Sequence, residues 1–238
     1  MQDPIAVPEA ARLLKLSPSR VRLMASKGQL PAIKIGDRWV IERQAVEGRR
    51  QQNPPRGRRF TPRNAWAMLL LASGEEVPAL DPVDQTRLKK ALALQGLKRL
   101  GPRLGTRAEV SAYNAHPGEI PYVLEDEALL PSGISAAGSV EAGLLPGREA
   151  DGYISQSQLQ AFGAEHALSP ADAAGNVRLR IVPGDVWVDL ALGSREVAPP
   201  AAVALDLAEE RDPRSRAAGR TALRDLQQTG RAALKARR

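Results

Sequence analysis

The sequence predicts a mostly α chain in two parts, a small helix–turn–helix unit closed by a hairpin and a larger mixed α/β body of the α+β kind. Three observations carry this. Residues 4–51 hold two helix starts, a glycine stop and a tight hairpin signal. The stretch "QQNPPRGRRFTPR" then interrupts the chain with paired prolines and clustered arginines. Beyond it, long apolar helical segments alternate with Gly- and Pro-rich runs of β character. The expected domains are 1–52, a basic linker at 53–63, and a body at 64–238.

Each element of the first part has a local cause. In "VPEAARLL", Ala10, Ala11, Leu13 and Leu14 make an apolar face of small and large residues, which lets a second helix pack closely. Ser17 is a good N-cap, and Pro18 suits the first helical position after it. On that second helix Val21, Met24 and Ala25 point inward. Ser19, Arg22, Leu23, Ser26 and Lys27 point away, with Arg20 on the flank. Gly28 is the stop. Then "LPAIKI" and "RWVIER" are β-rich runs around Gly36-Asp37, a loop that fits a type I′ or II′ hairpin. Both hairpin faces carry apolar residues, so the sequence leaves open which one packs inward.

In the body, "NAWAMLLLASG" predicts a buried helix from Asn64 closed by Gly74, and Trp66 and Trp187 are expected core anchors. "DPVDQTRLKKALALQGLKRLG" predicts a helix with Pro82 in its first turn and Leu88, Ala91, Leu92 and Leu97 on one stripe. Short strands and turns are expected around "AEVSAYNA" and "IPYVL". A short helix capped by Ser155 or Ser157 is expected in "SQSQLQAFGAEHAL", and two strands flanking Pro183-Gly184 in "NVRLRIVPGDVWVDLAL". Two helices end the chain, the second capped by Asp212 with Pro213 first.

Charge and composition limit the function. The absence of cysteine excludes disulfides, thiol nucleophiles and thiolate metal sites, and two histidines disfavour an all-histidine centre. No apolar run nears the ~20 residues of a membrane helix, so a soluble protein of the cytoplasm, at the bacterial nucleoid, is expected without a membrane partner. Residues 1–66 carry 14 Lys/Arg against 5 Asp/Glu, residues 67–210 carry 11 against 20, and residues 211–238 carry 9 against 2. A basic head points to a polyanion partner, whereas the acidic body should repel DNA. The basic tail is open to three roles: a DNA contact, a solvated helix face, or partial disorder.

The second helix suits a major groove, where Arg pairs bidentately with guanine. The candidate DNA-binding set is Ser17 at the helix N-terminus, Ser19, Arg20, Arg22 and Lys27 on its outer face, and Lys34 and Arg38 beside the hairpin tip. Arg56, Arg58 and Arg59 would serve as a minor-groove or phosphate arm. No catalytic residue, metal site or cofactor is expected. His116 with Glu119, and Asp185 with Asp189, are the nearest to catalytic pairs. A metal nuclease also wants a Lys, however, and none lies between Lys98 and Lys235. His116 is expected to cap or pack within its Pro-Gly turn.

Order and spacing of these residues resemble the excisionase/MerR-type winged helix–turn–helix. The matching residues are Glu9-Ala10-Ala11, Leu14, Ser17, Val21-Arg22, Gly28-Gln29-Leu30-Pro31-Ala32 and Gly36-Asp37-Arg38-Trp39. Lys15 departs from it, standing where that family turns on glycine, and Leu23 stands where an outward polar residue is usual. The resemblance implies sequence-specific binding of duplex DNA. Words in the body such as "RAEVSAYNAHPGEIP", "SGISAAGS" and "PPAAVALDLAEERDPRSRAAG" are similar to AbiEi-like antitoxins of type IV toxin–antitoxin systems. That similarity implies a repressor of its own operon with a toxin as partner, and a homodimer is a further expectation. The alternatives are an excisionase-like architectural factor, or a DNA-processing enzyme that the head targets.

Overall fold

The computed structural model describes residues 4–14, 16–43, 45–46, 58–144, 147–171, 175–210 and 212–236, with side chains to residue 228. The chain divides into two compact units, Met1–Arg56 and Gly57–Arg238. No helix of the described residues is long and apolar enough to cross a membrane.

The first unit runs β1 (Pro4–Ala6), α1 (Val7–Leu14), α2 (Pro18–Ser26), β2 (Ala32–Ile35) and β3 (Arg38–Glu42). Its antiparallel sheet has the order β1-β3-β2. Strand β1 was not expected, because three residues including a proline carry no periodicity. Ile5 pairs with Ile41 across the sheet, and this tertiary contact is what makes it a strand. Ile5, Ala10, Leu14, Val21, Met24, Leu30, Ile41 and Val46 form the core. The inward hairpin face is therefore the one bearing Ala32, Trp39 and Ile41, while Ile33 and Ile35 stay 53% and 63% exposed.

The second unit contains α3 (Pro62–Ala72), α4 (Pro82–Gln95), α5 (Leu97–Leu100), β4 (Glu109–Asn114), α6 (Ile120–Glu125), β5 (Leu130–Pro131), β6 (Ala150–Ser155), α7 (Leu159–Glu165), β7 (Ser169–Ala171), β8 (Val177–Val182), α8 (Gly184–Asp189), α9 (Pro200–Glu209) and α10 (Pro213–Ala236). Its mixed sheet has the order β5-β6-β8-β4-β7, with β6 and β8 parallel and the other pairs antiparallel. Alternation along the strands sends Ile154, Val177 and Leu179 to a face covered by Val123 of α6 and Phe162 of α7. Tyr153 and Val182 point the other way, into the larger core built on α3 and α9. Six successive residues of α3, Ala65 to Leu70, are buried, as are seven of α9, Ala201 to Leu207. These helices are apolar nearly all round because they are covered all round, the exception being Asp206 of α9. Helices α9 and α10 touch through Gly219, where a Cβ would lie 2.3 Å from the Ala208 nitrogen.

Several expected elements differ. Helix α3 starts at Pro62, with the Thr61 side chain accepting from the Asn64 amide. Gly96, at φ +70°, ends α4, so Leu97 opens a separate turn rather than extending the stripe. "IPYVL" is helix α6, since Pro121 occupies a first-turn position and Ile120 and Val123 fall on one buried face. "GDVWVD" is helix α8, not a strand. Val186 and Trp187 are buried while Val188 is exposed, a spacing that fits a helical face and defeats the apparent alternation. Ser155 ends β6, and Gln158 stands at the N-cap of α7 with no side-chain cap bond.

His166, 5% exposed, sits between two carboxylates. Its Nδ1 lies 2.8 Å from Glu119 Oε1 and its Nε2 lies 3.0 Å from Asp126 Oδ2. Only the imidazolium donates from both nitrogens. Burial by itself would lower its pKa, but the bonds to Glu119 and Asp126 outweigh that and raise it above the ordinary 6.5. The bridge therefore contributes stability in full below pH 6.5, and the contribution is lost as pH rises through the elevated folded-state value. His166→Gln is expected to remove this pH-dependent part, measured as urea midpoints from pH 5 to pH 9. A wild-type midpoint that rises across that range relative to the variant would contradict the bridge.

Candidate nucleic-acid interface

Helix α2 is fixed at both ends by local chemistry. The Ser17 hydroxyl accepts from the Arg20 amide at 3.2 Å and Pro18 opens the helix. At the other end, Gly28 takes φ +67°. Its amide donates to the Ala25 carbonyl, and the Gln29 amide donates to the Met24 carbonyl. This is the Schellman closure, which a left-handed glycine permits. Val21, Met24 and Ala25 are buried. Because that ridge is locked, Ser19, Arg20, Arg22, Leu23, Ser26 and Lys27 lie exposed on the opposite side. Leu23, 42% exposed, does not pack under the hairpin.

The first helix is tied to the sheet by an ion pair, Arg43 to Glu9 at 2.6 Å. At the hairpin tip Gly36 has φ +58° while Asp37 does not take a positive φ, the combination of a type II′ turn. The register pairs Lys34 with Trp39 and Ile35 with Arg38. Lys34 and Arg38 therefore stand near one tip but on opposite faces of the hairpin. Both are exposed. Among the described residues, none of Arg20, Arg22, Lys27, Lys34 and Arg38 forms an ion pair. A row of unneutralised cations and hydroxyls on one rigid helix presents donors to an anionic partner.

Of the arm residues, Arg58 and Arg59 belong to the second unit. Arg58 and Arg59 are exposed, but the backbone beside them is pinned: Arg103 Nε donates to the Arg58 carbonyl at 2.9 Å, and the Phe60 amide donates to the Arg103 carbonyl. The Arg103 guanidinium also lies 4.4 Å from the Phe60 ring centre. Arg56 and Lys15 fall outside the described residues.

The pairs weighed for catalysis do not converge. The His116 Nδ1 accepts from the Gly118 amide within its own turn, Glu119 binds His166, and Asp189 pairs with Arg63. Among the described residues no group of three His, Asp or Glu side chains is placed to hold a metal.

Sequence reading missed a buried ionic network beneath the sheet. Arg107 donates to Tyr153 Oη at 2.9 Å, and to Asp206 and Glu209 at 2.6 Å each. Arg180 grips Asp151 through two bonds of 2.9 Å and lies 3.1 Å from Asp206, whose other oxygen accepts from Ser132 at 2.5 Å. Burial would raise the Asp206 pKa, but Arg180 and Arg107 outweigh it and hold the carboxyl below its ordinary range. Burial pushes the Tyr153 phenol up, well beyond its ordinary value. The sequence signal was present: "NVRLRIV" places Arg178 and Arg180 on one face of a strand whose other face is apolar. A surface-looking arginine row on a central strand needs buried acids, and Asp151 and Asp206 supply them. Beside it, a cleft of about 600 Å³ is lined by β4, β7 and Arg178, but Arg178 and Arg180 are already engaged by Asp151 and Glu210.

A family model described as a helix-turn-helix domain matches residues 6–54. No curated protein and no solved structure matches the chain. The chain thus carries a helix–turn–helix domain, which supports DNA as its partner and a role in transcription regulation. The matched segment spans α1, α2, β2 and β3, and the second unit has no counterpart in these comparisons.

Proposed function

We propose that the chain is a sequence-specific repressor in which residues 1–52 act as a winged helix–turn–helix and residues 64–238 bind a protein partner. Helix α2 enters the major groove: Arg20, Arg22, Lys27 and Ser19 meet base edges and phosphates, and Ser17 meets a phosphate at the helix N-terminus. The β2–β3 hairpin is the wing. Because Lys34 and Arg38 occupy opposite faces, one lies against the adjacent backbone and the other against the groove beside it. Arg56, Arg58 and Arg59 add phosphate contacts.

One observation carries this reading: the outer face of α2 is unpaired and cationic, while its inner face is locked by Val21, Met24 and Ala25. The reading is of a non-catalytic regulator, and of an antitoxin type in which the body engages a toxin or a second copy. The size of the body and its words similar to AbiEi-like antitoxins support that part. Selection from a random duplex library tests the core claim. An enriched motif is the expected result, and an unenriched pool at moderate salt refutes sequence-specific reading. Lys34→Ala should weaken binding to every duplex to a similar modest extent and lower the salt slope by about 0.9, as loss of one phosphate contact does.

A further inference from the structure

We infer a second DNA-binding surface on the body, made by α5 and the first part of α10, which grips the backbone of duplex flanking the site read by the head. It rests on the reading of the head as a DNA reader for the identity of its partner, and on the body alone for its chemistry.

The body is acidic in sum, yet its cations are not spread evenly. Residues 85–103 hold six Lys/Arg and no acid, and residues 213–228 hold four Arg and one acid, Asp225. The fold brings these distant segments together. Leu97 and Leu100 of α5 share a core with Ala222 and Leu223 of α10, and the Gln227 side chain lies against Gly96. Arg220, Arg224 and Gln227 occupy one ridge of α10 by helical spacing. That ridge therefore runs alongside Gly96, two residues ahead of Lys98. Lys98, Arg99, Arg220 and Arg224 are all exposed. Among the described residues none of the four is in an ion pair, and Arg224 bonds only to Thr221 and the Arg220 carbonyl. The patch continues through Arg103, which follows α5 directly, to the exposed Arg58 and Arg59 pinned beside it.

Several acids of the body are held by arginines other than these four. Asp151, Asp206 and Glu209 neutralise the buried arginines, Glu210 holds Arg178, Glu75 holds Arg195, and Asp84 holds Arg87. A concentrated unpaired cationic surface beside a neutralised interior fits a polyanion, and the tether specifies which one. From Val46 to Arg58 the chain makes twelve Cα steps, at most about 43 Å, so a duplex held by the head lies within reach of the body. Neither α5 nor residues 213–228 contain an aromatic side chain on which unstacked bases could stack, which favours duplex over single strands.

The test uses the full chain and a variant with Lys98→Gln, Arg99→Gln, Arg220→Gln and Arg224→Gln. Both are titrated on mixed-sequence duplexes of about 15 and about 50 base pairs, the shorter just covering one helix–turn–helix footprint. On the longer duplex the variant should lose on the order of tenfold or more in affinity, and its log–log salt slope should fall by about 3–4. On the shorter one it should match wild type. Equal affinities and slopes on the long duplex overturn the proposal, as does an equal loss on both lengths. Stronger competition by single-stranded RNA than by the 50-base-pair duplex overturns the choice of partner. Arg22→Ala run in parallel separates the two readings: it probes the head on either length and leaves the length dependence of the patch unchanged.

Discussion

Asp206→Ala is expected to destabilise the body by about 3–5 kcal/mol, the cost of stripping a buried ion pair from one side. Asp206 is fully buried and accepts from Arg107, Arg180, Tyr153 and Ser132. Removing it leaves two buried guanidinium groups with fewer anions than they need and a hydroxyl and a phenol with no acceptor. Such a loss is a large part of a domain's total stability. Asp206→Asn should cost less, because it keeps the shape and one acceptor oxygen while discarding the charge. Urea unfolding followed by tryptophan emission resolves the outcome, since Trp66 and Trp187 report on the body and Trp39 on the head. The body transition should move and the head transition should stay. A shift below about 1 kcal/mol would show that the network is not worth its buried charges. The same chemistry sets an acid limit. Asp206 has a depressed folded-state pKa, so its contribution is present above the unfolded value of 3.8 and disappears as pH falls through the folded one.

Arg22→Ala should abolish discrimination between a selected motif and a scrambled duplex while leaving the head folded. Arg22 is exposed directly after Val21, which is fully buried and fixes the rotation of α2. Its side chain accordingly leaves on the outer face, where an arginine–guanine pair discriminates by about 1–3 kcal/mol. Binding to the motif should fall by about tenfold to a hundredfold, and binding to scrambled duplex far less, because one charge among many is lost. Titrations at two salt concentrations check it. Equal losses on both duplexes would mean that Arg22 positions the protein on the backbone instead of reading bases.

The head was legible because its signals are local. Ser17 with Pro18, Gly28 after Lys27, and Gly36 at the hairpin tip each act within a few residues, and the structure places each where the spacing puts it. What was not legible there depends on partners far along the chain: β1 exists because Ile5 meets Ile41, and the inward hairpin face follows from Trp39 and Ile41 joining the core. The body shows the same division. Asp212 caps α10, accepting from the Ser215 amide at 2.7 Å, as its position before Pro213 indicates. By contrast, "DVWVD" alternates like a strand, and only the side on which Trp187 is buried makes it a helix. Net charge is the coarsest signal. A sum over residues 67–210 does not show that Asp151, Asp206, Glu209 and Glu210 meet the internal arginines, whereas Lys98 and Arg99 remain at the surface.

The Arg107–Asp206 pair closes a span of 99 residues, and β6 must wait for β8 before the centre of the sheet exists. On a ribosome, the head has every core residue by Val46 and folds from short-range contacts, so it is complete while most of the body is still unsynthesised. The body gains its central electrostatic closure only when Asp206 of α9 emerges, long after Val46, the last core residue of the head. Any chain cut short between these points carries a finished helix–turn–helix head on an unfinished base. Premature termination would therefore yield fragments with a folded head that expose the unclosed apolar core of the body, a species suited to aggregation or proteolysis. The interval between head and body is a built-in asymmetry of synthesis, set by nothing more than how far apart in sequence two oppositely charged side chains lie.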